Sequence, residues 1–172
     1  MQPDTVRIAI TLDDGAVAVM LFITRQPARG SLPGWRRQPT AENVDLEVAR
    51  TFAGSGPQPV SWRILDDGEQ LPDRAFRGAW RDDGAALACD MPQAREIHLD
   101  RIRRARARRL DELDREWMRE SGQKRDAQAD AIEVERQTLR DLPQTLSSAL
   151  AACATPDELK LLWPAELPSE DG

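Results

Sequence analysis

The chain has no tyrosine, one histidine and two cysteines, and aromatic residues make up 5% of its 172 positions. Each shortage excludes a class of function. Cys89 and Cys153 lie far apart with no metal-ligand spacing around them, so they read as buried or free thiols of a reducing compartment, not as a disulfide framework. His98 stands alone, without a serine or cysteine nucleophile motif, and no nucleophile–base pair can be assembled around it. It reads as a structural or surface residue near Glu96 and Asp100. G-x-S-x-G, Walker A, G-x-G-x-x-G and H-E-x-x-H patterns are all missing. No 18-residue apolar run and no charged-then-apolar leader occurs, so the expectation is a soluble chain with no membrane partner, not secreted by the usual signal. No catalytic residue, metal or cofactor is expected.

What the chain does contain is charge and apolar periodicity. Charged residues are 31% and hydrophobic residues 40%, enough for a core in one domain or in a small domain with a helical appendage. The formal net charge of -6 argues against general nucleic-acid binding. The five tryptophans mark core or interface anchors.

The first 90 residues have strand and turn signals. Val6 to Leu12 and Ala16 to Thr24 read as strands joined at Asp13-Asp14-Gly15, with Gly15 supplying a positive φ. The second strand is apolar on both sides, which predicts cover on both faces. Arg25 to Pro39 reads as an arginine-containing loop, and Thr40 as the N-cap of a helix carrying Val44, Val48 and Phe52 on one face. Val60 to Leu65 reads as a third strand, followed by two further Asp-Asp-Gly turns at 66–68 and 82–84 and a short apolar segment, Ala85 to Cys89. These acidic turns follow from backbone conformation and offer no calcium loop. Pro72 and Asp73 start a short helical turn on which Phe76 and Trp80 share a face, and Asp73 can pair with Arg77.

The second half reads as helices. A long one follows Asp90, with Leu99, Ile102, Leu110, Leu113 and Trp117 on one stripe that Arg106 interrupts. Ser121-Gly122 breaks it. A second helix, Gln123 to Leu142, is stopped by Pro143, and the short connection predicts an antiparallel hairpin. Thr155-Pro156-Asp157-Glu158 starts a last helix that ends at Pro164, and Pro168 to Gly172 reads as a frayed acidic tail. The expected fold class is therefore α+β. A small β-rich N-terminal domain (1–90) precedes a long-helix antiparallel hairpin with a short C-terminal helix (91–172).

Between Arg95 and Arg109 the long helix packs seven arginines: Arg95, Arg101, Arg103, Arg104, Arg106, Arg108 and Arg109. Three readings stand: a solvated face laced with local ion pairs, a docking surface for an acidic protein or a second copy of this chain, and a nucleic-acid site. Local pairs are available at Asp100 with Arg104, Arg108 with Glu112, and Asp111 with Arg115, whereas Arg101 and Arg106 have no acid three or four residues away. No aromatics interleave the run, which makes nucleic acid the weakest of the three.

Three ordered segments carry a resemblance: RAFRGAW (74–80), MPQAREIH (91–98) through RARARRLDELDREWM (104–118), and ERQTLRDLP (135–143), with TPDELKLLWP (155–164) extending it. Together they resemble phage tail assembly chaperones of the kind encoded near tail-fibre genes. Arg108 and Arg109 depart from that pattern, in which less charged residues precede the Leu-Asp element. The resemblance implies a non-enzymatic protein with a tail or tail-fibre partner. It would act in the cytoplasm of the infected bacterium, or in the virion as a structural subunit, and could form a homo-oligomer. It makes Asp73, Arg74, Phe76, Arg77 and Trp80 a structural signature. It also implies that Arg136, Gln137, Leu139, Arg140, Asp141 and Pro143 close the hairpin. The partner surface is expected at Arg101, Arg103, Arg104, Arg106, Arg108 and Arg109, with Trp117 as an anchor.

Overall fold

The computed structural model describes residues 5–24 and 38–168. The chain divides into two compact units, Met1–Asp90 and Met91–Gly172. It is α+β, with antiparallel strands in the first unit and long helices in the second.

In the first unit, β1 (Thr5–Leu12) lies between β2 (Val17–Ile23) and β3 (Pro59–Ile64), antiparallel to both. Gly15 turns the β1–β2 hairpin at φ 78°, and Asp14 accepts the Ala16 N–H at 2.9 Å. Strand alternation sends Ile8, Ile10 and Phe22 to one face, where Val44 and Val48 of α1 (Ala41–Thr51) cover them. Thr40 caps α1 by accepting the Asn43 N–H, as its sequence position predicts. The opposite face gathers Ala9 and Val17 with Leu65, Trp80 and Leu87. Trp80 and Leu87 belong to a second, two-stranded sheet, β4 (Trp80–Asp82) and β5 (Leu87–Cys89). The expectation that both faces of β2 are covered fails at its end: Leu21 and Ile23 are 63% and 60% exposed. β2 is an edge strand, and the second sheet is too small to reach that far along it. Of the Arg25–Pro39 loop, residues 25–37 lie outside the described residues, as do 169–172 of the acidic tail.

In the second unit, α2 (Met91–Gly122) and α3 (Asp126–Ala152) form the antiparallel hairpin. The turn between them is Gln123 to Arg125, with Lys124 at φ 56°, one residue beyond the expected Ser121-Gly122 break. The core is Ile102, Ala105 and Leu113 of α2 against Leu139 and Leu142 of α3, closed by Leu167 and the half-buried Trp163. α4 (Pro156–Leu161) opens on a full capping box between Thr155 and Glu158.

Pro143 does not stop the second helix: it lies inside α3, which runs nine residues further, to Ala152. A proline in a helix interior costs roughly 3 kcal/mol through its missing N–H and ring clash. Here the helix carries apolar residues on both sides of it. Leu142 and Leu150 are buried and Leu146 packs on the core, so burial holds the helix across the defect.

Candidate functional site

Arg95 donates to the Cys153 carbonyl oxygen at 2.8 Å, and the six arginines from Arg101 to Arg109 differ in how the fold uses them. Arg109 turns inward. Its Nη2 lies 2.8 Å from Glu135 of α3 and its Nη1 3.2 Å from Glu112, with Glu116 at 3.6 Å. The Glu135 hydrogen bond, with those carboxylates around it, holds the guanidinium pKa above its ordinary value. Arg109 is therefore a cross-helix clamp and not part of an open surface, a correction to its sequence assignment. Glu135 is far from it in sequence, and no local spacing points to the contact.

Arg103 forms a local pair with Asp100 at 2.9 Å. Both side chains are about half exposed, so the pair is worth little. Arg101 is half-buried and engaged in the fold, despite having no acid at local helical spacing. Of the three local pairs expected from spacing, the Asp111–Arg115 contact forms differently: the guanidinium Nε donates to the Asp111 carbonyl oxygen at 3.1 Å. Glu112 is taken by Arg109 instead of Arg108.

Arg104, Arg106 and Arg108 have no ion pair among the described residues. Arg104 and Arg108 are exposed and one helical turn apart, so they stand side by side along one flank of α2, outside its buried seam. Arg106 is half-buried at the margin of the seam and does not interrupt it. Ala94, His98, Ile102, Ala105 and Leu113 are the buried positions of α2. The small Ala105 fills the middle of the stripe, and the signal that could have found it is the alanine at 105, three residues after Ile102. His98 is fully buried, its ring in an edge-to-face contact with Trp163 at 5.9 Å. It is a core residue, as its isolation from other catalytic residue types suggests.

Trp117 is 37% exposed and lies outside the buried seam. The Arg136 guanidinium sits 5.8 Å from its ring centroid, a cation–π contact across the hairpin. Trp117 is thus partly occupied by its own fold, though an open side remains. Arg136 also pairs with Asp114 at 2.7 Å and with Glu133. Arg140 reaches Glu133 at 2.8 Å, and this contact, with Arg136 beside it, holds the Glu133 carboxyl below its usual range. Leu139 is fully buried, and Asp141 accepts from the Gln137 amide at 3.0 Å. The Arg136-to-Pro143 segment therefore joins the helices from inside α3 and does not cap its end.

The RAFRGAW segment holds the first unit together. Residues Arg74–Ala79 form a 3₁₀ turn, capped by the Asp73 carboxylate accepting from the Ala75 N–H at 2.8 Å. The expected role of that carboxylate was an ion pair with Arg77, but a 3₁₀ turn with a non-helical Phe76 does not stack positions four apart. Phe76 and Trp80 are buried, and the Trp80 indole donates to the Asp73 carbonyl oxygen at 3.1 Å. Arg74 and Arg77 are exposed.

The strongest polar cluster was invisible in the sequence. Arg63 donates from Nη1 and Nη2 to the two Glu69 oxygens, at 2.8 and 2.7 Å, and its Nε–H is shared between the two Asp82 oxygens, both at 2.9 Å. Glu69 also accepts the Leu87 N–H at 3.1 Å. The Arg63 bonds, ahead of the others, pull the Glu69 pKa down to about 2. The single guanidinium is shared between two carboxylates, and the cluster ties β3 to β4–β5. Burial pushes the Cys89 thiol pKa up, which disfavours the reactive thiolate. Among the described residues no three or more His, Cys, Asp or Glu side chains could hold a metal ion. An open depression of about 410 Å³ near the hairpin turn is lined by charged groups including Glu116, Arg119, Glu120 and Arg125. Its Glu120 is neutralised by Arg125 at 2.9 Å and Arg119 at 3.3 Å. Among the described residues no helix is long and apolar enough to cross a membrane. What α2 presents to solvent is a pair of exposed guanidiniums, Arg104 and Arg108, with no ion pair among the described residues.

No protein-family model matches the sequence, and no curated protein and no solved structure resembles it at a significant level.

Proposed function

We propose that this protein is a non-enzymatic, tail-associated protein of a bacteriophage or prophage, which binds a tail or tail-fibre component during particle assembly through the arginine edge of α2. Two things support the reading. The RAFRGAW, AREIH and ERQTLRDLP segments occur in the order found in tail assembly chaperones. The observation that carries the mechanism is the exposure of Arg104 and Arg108 one turn apart, while Arg103 and Arg109 of the same helix are held in ion pairs. Exposed guanidiniums recognise carboxylates by paired hydrogen bonds and steer an acidic partner into register.

The working compartment is the cytoplasm of the infected bacterium for a chaperone, and the particle itself for a permanent virion subunit. Co-expression with the neighbouring tail genes, followed by affinity purification, tests the binding. A tail protein recovered with this chain is the expected result. Its absence, together with absence of this chain from tail intermediates and virions, overturns the reading. Mass spectrometry of purified particles separates the two roles, since only a subunit is retained at fixed stoichiometry.

A further inference from the structure

The hairpin has a basic outer edge and an acidic outer edge. On α2, Arg104 and Arg108 are exposed along one flank, outside the seam that packs on α3. On α3, Asp126, Asp130 and Asp141 are exposed opposite Leu139 and Leu142, the residues that pack on α2. Asp126 and Asp130 adjoin the turn, whereas Arg104 and Arg108 lie about 20 Å further along α2, so these groups cannot meet within one chain. Their spacing matches: Arg104 and Arg108 are four residues apart, and so are Asp126 and Asp130, about 6 Å along each helix. Val134, 69% exposed, lies beside the acidic edge and would meet the aliphatic stems of the arginines.

We propose that this chain binds a second copy of itself head to tail, the Arg104–Arg108 edge of α2 docking on the Asp126–Asp130 edge of α3 of the next copy. The contact uses two different surfaces, so a pair keeps one basic and one acidic edge open, association continues beyond a pair, and the basic edge at the end of the row stays open to a tail component. α2 and α3 are antiparallel in one chain, and copies related by a rotation combined with a shift of about 20 Å along the hairpin, which sets the turn-end Asp126–Asp130 level with Arg104–Arg108 in mid-helix, bring them together antiparallel again. A polyanion such as nucleic acid fits the basic edge less well. Asp100 and Asp111 flank it, and the chain as a whole carries a net charge of -6. This inference rests on the reading of the arginine edge as a binding surface, but not on any tail protein as its partner.

Sedimentation velocity of the full chain over a concentration series, at low and high salt, tests it. The expected result is a mass that rises with concentration at low salt and falls back to one chain at high salt. Arg104→Glu/Arg108→Glu and Asp126→Lys/Asp130→Lys should each sediment as single chains, and a mixture of the two should reassociate. A milder pair, Arg104→Gln/Arg108→Gln, with circular dichroism on every variant, keeps loss of association distinct from loss of fold. A wild-type chain that stays monomeric at all concentrations overturns the proposal. So does association that ignores salt and both reversals, or variants that fail to reassociate when mixed. A monomeric chain that binds duplex DNA through Arg104 and Arg108 would reassign the edge to a polyanion. If sedimentation fails while a tail protein still co-purifies, self-association alone is wrong.

Discussion

Removing the Arg63 guanidinium leaves Glu69 and Asp82, with side chains 10% and 7% exposed, as buried carboxylates without their cation. Arg63→Met should cost about 3 kcal/mol in chemical denaturation, the usual penalty for breaking a buried pair from one side. An unchanged denaturation midpoint would contradict the clamp. The same cluster sets an acid limit. The Glu69 pKa falls from its ordinary value near 4.5 to about 2 on folding, so its contribution is complete above about pH 4.5 and is lost as pH falls toward 2. Glu69→Gln should therefore flatten the loss of stability over that range. A pH profile identical to wild type would show that other carboxylates, such as Glu120 and Glu133, account for the slope. None of this could be read from the sequence. Glu69 and Asp82 lie 6 and 19 residues from Arg63, Glu69 in no strand and Asp82 in the other sheet, and only tertiary packing brings the three together.

Within single elements, local signals were readable. Thr40 and Thr155 cap helices where their sequence places them, and Gly15 takes the positive φ that its turn requires. Two of the failures share one cause, which is that a neighbouring element overrode a local rule. Pro143 sits within a helix because leucines on either side of it are buried, and Arg109 leaves its local face because Glu135 of α3 is within reach. The helix across Pro143 gives a test. Pro143→Ala should raise the thermal midpoint by restoring a backbone hydrogen bond, with a gain of about 1–3 kcal/mol. A lowered midpoint would mean that the proline ring itself packs usefully. The core and edge of α2 should also respond differently. Leu113→Ala should cost about 2–5 kcal/mol, while Arg104→Gln/Arg108→Gln should stay within about 0.5 kcal/mol of wild type. Comparable losses at both places would show that the arginines serve the fold.

At the scale of the whole molecule, the α+β class and the helical hairpin were legible because hydrophobic periodicity changes from two to about 3.6 after residue 90. The candidate surface was legible only as a region. The sequence marks Arg101 to Arg109 as one basic run, but the fold takes Arg109 into the hairpin, engages Arg101 and ties Arg103 to Asp100. What it presents is an edge centred on Arg104 and Arg108, with Trp117 partly covered by Arg136. The most direct test of that edge is co-purification of tail proteins with the wild-type chain and with Arg104→Glu/Arg108→Glu, each co-expressed with the neighbouring tail genes. Binding through the arginine edge predicts a tail protein retained by the wild type and lost from the reversed variant at equal expression and helicity. Equal retention by both chains, or by neither, would contradict it.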